Sequence, residues 1–184
     1  DSVFDRMNHR ELPTIYPPVA IAAFASVSFL GTLGPKLLAL LAHLALIVGV
    51  TRLAAGGASM AQQNERNPQS SVLRAAYGMA LNPLMLSEGA LNGHVDLGAA
   101  ALLIWALVFL FEPQSRHRLH KTLLFGVLAI GVKLVGILLV PLLLRDRQPH
   151  AKWAALALVL LGGLLVVPVA GAGHADRHVG NSLE

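Results

Sequence analysis

The chain has 184 residues, of which 55% are hydrophobic and only 13% charged. A soluble domain carries about 45–50% apolar and roughly 25% charged residues, so the composition excludes an ordinary water-soluble globule and points to an integral membrane protein. The net charge of +4 would suit nucleic acid only if the basic residues shared one face. They fall instead into short loop clusters, as membrane topology requires, and the lack of cysteine excludes both a disulfide framework and a thiolate metal site.

In chain order, residues 1–17 are polar to mixed and end in Ile15-Tyr-Pro-Pro18, where two consecutive prolines forbid a continuous helix and favour an extended entry. The opening Asp1-Ser-Val-Phe-Asp-Arg6 has no basic region ahead of an apolar core and is not a signal peptide. With no initial Met and an end at Asn181-Ser-Leu-Glu184, the chain reads as a piece of a longer protein. Residues 19–33 are a short apolar segment containing Ser26, Ser28 and Gly31; Gly34-Pro35-Lys36 is expected to break it; residues 37–50 form a Leu/Ala-rich helix that ends at Thr51-Arg52. A spanning helix needs about 20 apolar residues, so each of these two segments is marginal alone.

A polar loop is expected over 56–71, then an apolar segment over 72–91 interrupted at Asn82-Pro83, then a helix over 97–111. A basic loop, 116–121, precedes an apolar run, 122–144, whose one charge is Lys133. A second basic loop covers 145–152, and the last apolar run, 153–170, leads into the polar stretch 171–184. There is no strand-type alternation and no internal repeat. The expected fold is all-α: a polytopic membrane helix bundle with short or re-entrant helices, its Ala, Gly and Ser content suited to close helix packing. Residues 19–170 form one transmembrane region, flanked by extracytoplasmic loops at 1–17 and 171–184.

The positive-inside rule orients these segments. Arg52, Arg66 and Arg74, then Arg116, Arg118 and Lys121, then Arg145, Arg147 and Lys152 mark cytoplasmic loops; Asp1, Asp5, Glu11, Glu88, Asp96, Asp176 and Glu184 fall to the other side. Residues 19–50 must then make one net crossing, with 19–33 interfacial or re-entrant. Because basic loops flank 122–144 on both ends, that run is expected to form a shallow hairpin with Lys133 near its apex; its length also allows one straight span.

The chemistry concentrates in the stretch from Asn82 to Asp96, which sets Glu88, Asn92, His94 and Asp96 between apolar runs. Ionisable groups abutting membrane segments mark functional sites by default. His94 and Asp96 suit a polar substrate, a phosphate or a metal. Asp96 alone is equally well explained as the N-cap of the 97–111 helix, which leaves Glu88 and His94 unaccounted for. An unpaired lysine at the position of Lys133 costs about 2.5–3.5 kcal/mol on insertion scales, and it lies too far from either segment end to snorkel easily. A carboxylate or a bound anion is therefore expected beside it, and a phosphate fits. His9, Glu11 and Tyr16 are each accounted for by a solvated loop, His43 by hydrogen-bonded packing, and His117, His120 and His150 by contact with lipid headgroups. No phosphate-binding glycine loop, nucleophile elbow or zinc-helix motif is present; no metal ligand is assigned, and a divalent metal stays open as a cofactor.

Several of these residues form a recognisable order. Leu12-Pro-Thr-Ile-Tyr-Pro-Pro18 resembles the entry to a membrane segment in bacterial GT-C glycosyltransferases; Asn82-Pro-Leu with Glu88 and Asn92-Gly-His-Val-Asp96 resembles their Asn-Pro-Leu…Glu…Gly-His-x-Asp stretch. Lys133 with Leu138-Leu-Val-Pro141 resembles their Lys…Leu-Leu-Pro pattern, and Arg177-His-Val-Gly-Asn-Ser-Leu183 is similar to the start of a later outer loop. The matches cover most of the chain, and the mannosyltransferase-like branch that uses polyprenyl-phosphate sugars is the nearest in kind.

The resemblance implies an enzyme of the bacterial cytoplasmic membrane with an extracytoplasmic active site. It would move a mannose-like hexose from a polyprenyl-phosphate donor to a cell-envelope glycan or lipid-linked acceptor, with the bilayer and no nucleic acid as partners. Tyr16, Glu88, Asn92, His94, Asp96 and Lys133 are the implied substrate-binding residues. The catalytic base is unassigned and is expected upstream of Asp1, and Val95 stands where the family commonly has Asn. Two other readings remain open on the residues alone: an ion- or proton-coupled transporter component using Glu88, His94, Asp96 and Lys133 as paired midplane charges, and a non-catalytic glycan-binding scaffold.

Overall fold

The computed structural model describes residues 16–60, 68–87, 95–112, 117–148 and 150–175. The expectations for His9, Glu11, Glu88, Asn92, His94 and the polar stretch beyond residue 175 lie outside the described residues. Among the described residues every regular element is helical, in agreement with the all-α expectation.

The prolines act as expected at the entry. Pro17 is extended (φ −63°, ψ 158°) and Pro18 occupies the first turn of helix α1, Pro18–Ser26, where a missing N–H costs nothing. At nine residues this helix is about 14 Å long, against about 30 Å for a hydrocarbon core, so it is a short helix of the expected kind. A 3-10 turn over Ser28–Leu30 and Gly31 (φ 56°) reverse the chain; only glycine enters this region freely.

Helix α2, Leu33–Met60, begins earlier and ends later than expected. Gly34-Pro35 does not break it: both residues sit in its first turn, where the backbone N–H groups have no intrahelical partner in any case. The break is at Gly31. Likewise the helix continues through Thr51-Arg52, and the Thr51 hydroxyl is absorbed by the Ile47 and Val48 carbonyls. Within α2, Leu33–Gly56 is long and apolar enough to cross a membrane, the one such stretch among the described residues.

Helix α3, Pro68–Ala80, starts inside the expected polar loop, with Pro68 in the favoured first helical position. Asn82-Pro83 ends this segment for a specific reason. Pro83 has no N–H, so the Met79 carbonyl loses its helical donor; the His43 Nε2–H of α2 donates to it at 3.0 Å. Asn82 then caps the short helix α4, Pro83–Met85, its Oδ1 accepting from Leu84 N at 3.0 Å and Met85 N at 3.3 Å. His43, 6% exposed, is thus the packing residue the sequence suggested. Replacing it by Leu leaves the Met79 carbonyl only the long 3.5 Å bond from the Asn82 N–H, at a cost of about 1 kcal/mol; a lowered thermal midpoint of the detergent-purified protein is the expected result, and an unchanged midpoint would show that this bond and water serve the carbonyl equally well.

Helix α5, Asp96–Leu110, packs on α2 at Gly49, where an added Cβ would stand 2.6 Å from Ile104 Cγ2. The Trp105 indole N–H donates to the Ala45 carbonyl at 3.0 Å, and Arg52 lies 5.3 Å over the same ring.

Helix α6, Arg118–Val132, stops at Lys133, which is fully extended (φ −161°, ψ 143°). The chain returns through a 3-10 stretch, Leu134–Leu138, and helix α7, Leu139–Arg145, with Pro141 tolerated in the first turn of α7. The return is a true hairpin: Gly136 lies against the Gly126 carbonyl of the outgoing arm, and the far ends are clasped by Arg118 Nη2 donating to Asp146 Oδ2 at 2.6 Å. The single straight span is therefore excluded, and the two basic loops lie at the same end. Helix α8, Ala151–Ala175, packs on both arms.

The interior is built from small residues with a few leucines. Leu139, Leu143 and Leu158 are fully buried with Ala106 and Ile130 in the main cluster, and Leu46, Ala39, Leu97 and Ala101 join α2 to α5. The outside carries large apolar side chains in quantity, among them Phe29 at 81%, Leu41 at 62% and Leu164 at 69% exposure. Apolar surface of this extent belongs against lipid tails rather than water.

Candidate active site

Helices α5 and α6 run antiparallel, so the first residue of one meets the last of the other. Asp96 opens α5. It is not its N-cap: that position is Val95, which makes no side-chain capping bond, and the capping explanation for Asp96 is thereby corrected. Lys133 is the C-cap of α6. A carboxylate at a helix N-terminus and an ammonium at a C-terminus are each favoured by about 0.3–1 kcal/mol at exposed sites. The two charges are therefore placed well before they meet.

They do meet. Lys133 Nζ donates to Asp96 Oδ1 at 2.7 Å, which supplies the carboxylate partner that the sequence required for Lys133. The pair is open, with 51% of the Lys133 side chain and 59% of that of Asp96 exposed. An exposed ion pair contributes about 0–1 kcal/mol to stability, so bracing the fold does not account for two charges at these helix ends. Their accessibility leaves both free to engage a ligand.

Beneath the pair is a tight apolar floor. Ala20 of α1, Ala99 of α5 and Val132 of α6 are buried together, with Val19, Val95 and Val135 packed around them. Gly131 admits Val19 so closely that a Cβ there would overlap it, which fixes the start of α1 beside Lys133. Tyr16, just upstream, is 39% exposed, and its ring stands edge-on to Phe24 at 5.8 Å.

From this floor an apolar cavity of about 380 Å³ opens between α1, α2, α5 and α6. Its walls include Phe24, Leu38, Ala42 and Leu102, and also Val95 and Val132, the chain neighbours of Asp96 and Lys133. A charged pair thus borders a greasy slot. Among the described residues no three His, Cys, Asp or Glu side chains gather as a metal-binding group.

The model of glycosyltransferase family 87 matches residues 14–179. The chain belongs to glycosyltransferase family 87. This is a family of GT-C-type membrane glycosyltransferases, so the bundle is that of a membrane-bound sugar-transferring enzyme. No curated protein and no solved structure matches the chain.

Of the sequence-derived candidates, the family-87 fold brings Asp96 and Lys133 together and sets the α1 entry, with Tyr16, at the same end of the bundle. Glu88, Asn92 and His94 lie outside the described residues. The charges sit at helix ends, whereas a transport relay needs them midway along spanning helices. Two features escaped the sequence reading. The cavity is lined mostly by Ala, Val and Leu spread over four helices, which no local pattern singles out. The Arg118–Asp146 clasp joins residues assigned to separate basic loops, and the signal available for it was the lone acidic residue in 145–152.

Proposed function

We propose that this family-87 enzyme transfers a mannose-like hexose from a polyprenyl-phosphate donor to a hydroxyl of a cell-envelope glycan or lipid-linked acceptor, on the outer face of the bacterial cytoplasmic membrane. One observation carries the reading: Lys133 and Asp96, paired at 2.7 Å, directly adjoin in the chain Val132 and Val95, which line the apolar cavity. A polyprenyl phosphate has the same two halves, a phosphate for the ammonium and isoprene units for the slot.

The reaction in this reading is an inverting displacement. The acceptor oxygen bonds to the anomeric carbon while the bond from that carbon to the phosphate oxygen breaks, and the lipid phosphate departs with one more negative charge. Lys133 meets that charge as it develops, which is where a fixed donor is worth most. The acceptor proton passes to a carboxylate base. Asp96 is not given that task, because it serves as counter-ion to Lys133. Glu88, Asn92 and His94, which precede it in the chain, are assigned to the sugar and the acceptor, and Tyr16 to the donor side.

The direct test supplies the purified full-length protein with a radiolabelled polyprenyl-phosphate hexose or, in parallel, the matching nucleotide sugar. Transfer from the lipid-linked donor alone is expected. Transfer from the nucleotide sugar in the absence of polyprenyl phosphate would overturn the proposal.

A further inference from the structure

The opposite end of α6 carries a second site. Its first residue, Arg118, stands about 22 Å from Lys133 along the helix axis. Here the α6 N-terminus, the α8 N-terminus and the chain around Gln148 enclose a cleft of about 590 Å³. Its polar wall holds Arg118, His120, His150 and Trp153, its apolar wall Leu123 and Ala157, and none of its lining residues is acidic. We propose that this cleft binds the phosphate of an anionic membrane lipid.

Four observations support that ligand. First, Arg118 has donor capacity to spare. A guanidinium has five N–H groups; the bond to Asp146 takes one at 2.6 Å, and Nε has no partner among the described residues. Second, Arg145, Arg147 and Lys152 lie at the same end with no ion pair among the described residues, so the surrounding field attracts anions. Third, the rim carries Trp153, 69% exposed, the residue type enriched at the headgroup level of a bilayer. Fourth, α8 continues from that rim as an exposed apolar stripe, Leu156 at 48%, Leu160 at 58% and Leu164 at 69%, with the four-residue spacing of one helix face. A phosphate in the cleft places acyl chains along that stripe. A free phosphate ion would fill the cleft without using the stripe.

Native mass spectrometry of the full-length protein, released from micelles doped with phosphatidylglycerol or with phosphatidylcholine, tests this. Phosphatidylglycerol adducts are expected to dominate, to survive an excess of inorganic phosphate, and to weaken by about tenfold in His120→Ala/His150→Ala, the loss of a little over one kcal-scale contact. Both histidines are exposed, so the double variant folds. Lys133→Ala is expected to retain the adducts. Equal retention of the two lipids, undiminished retention in the double variant, displacement by inorganic phosphate, or loss of the adducts in Lys133→Ala alone would each overturn the proposal; the last would move the lipid to the donor site. The result is independent of the donor reading, which the labelled-sugar assay tests separately.

Discussion

Lys133→Ala is expected to reduce sugar transfer by about 10²–10³-fold, the effect of removing one donor aimed at charge that develops in a transition state. The protein should still insert and purify normally. The Lys133–Asp96 pair is half-exposed, so its loss removes about 0–1 kcal/mol of stability, and Asp96 keeps the favourable field at the start of α5. Lys133→Arg retains the charge but replaces a compact ammonium by a planar fork, and intermediate activity is expected. Asp96→Lys/Lys133→Asp separates chemistry from bracing. It restores an ion pair between the same two helix ends but leaves no cation on the α6 side. Inactivity of a well-folded swap supports the leaving-group role, whereas recovered transfer would show that the pair only braces the helices. Full activity of a correctly inserted Lys133→Ala would remove the residue from the site.

Gly136→Ala is expected to disable the protein from the fold outward. A Cβ at 136 would overlap the Gly126 carbonyl oxygen and stand 2.7 Å from Ile130 Cγ1 and 2.9 Å from Ile130 N. Two of these neighbours are backbone atoms of α6 and cannot turn aside as a side chain can. Overpacking a core costs about 1–3 kcal/mol, and a rigid backbone contact puts this case toward the upper end. The arms must separate, and Lys133 at the apex moves with them. A lowered thermal midpoint together with lost transfer is the expected result. Gly163→Ala on α8 is the matched control: nothing lies within 4 Å of the added Cβ, and the helix gains about 0.8–1 kcal/mol of intrinsic propensity. Equal midpoints for the two variants would mean that the hairpin arms are not in contact.

The fold was legible wherever the deciding physics is local. Pro17-Pro18 announced an extended entry, Asn82-Pro83 a helix break, and the flanking arginines a hairpin through Lys133. The misreadings were local as well. Gly34-Pro35-Lys36 carries the residues of a breaker, but Pro breaks a helix only where an N–H is needed, and the first turn of α2 needs none. The polar stretch from 56 onward reads as a loop, but α2 runs on to Met60, because adding a residue to an established helix is far easier than nucleating one.

The candidate site divides along the same line. Composition determined that this is a membrane protein, and the cost of an unpaired ammonium in an apolar run determined that Lys133 must have a partner. Those follow from the residue and its immediate neighbours. Which carboxylate answers it was decided by the tertiary structure alone. Asp96 lies 37 residues away in the chain, and it reaches Lys133 because α5 and α6 pack antiparallel with their charged ends level. Transfer free energies attach to single residues and can be read along a sequence. A contact attaches to two, and its existence depends on every glycine and alanine that lets the intervening helices close.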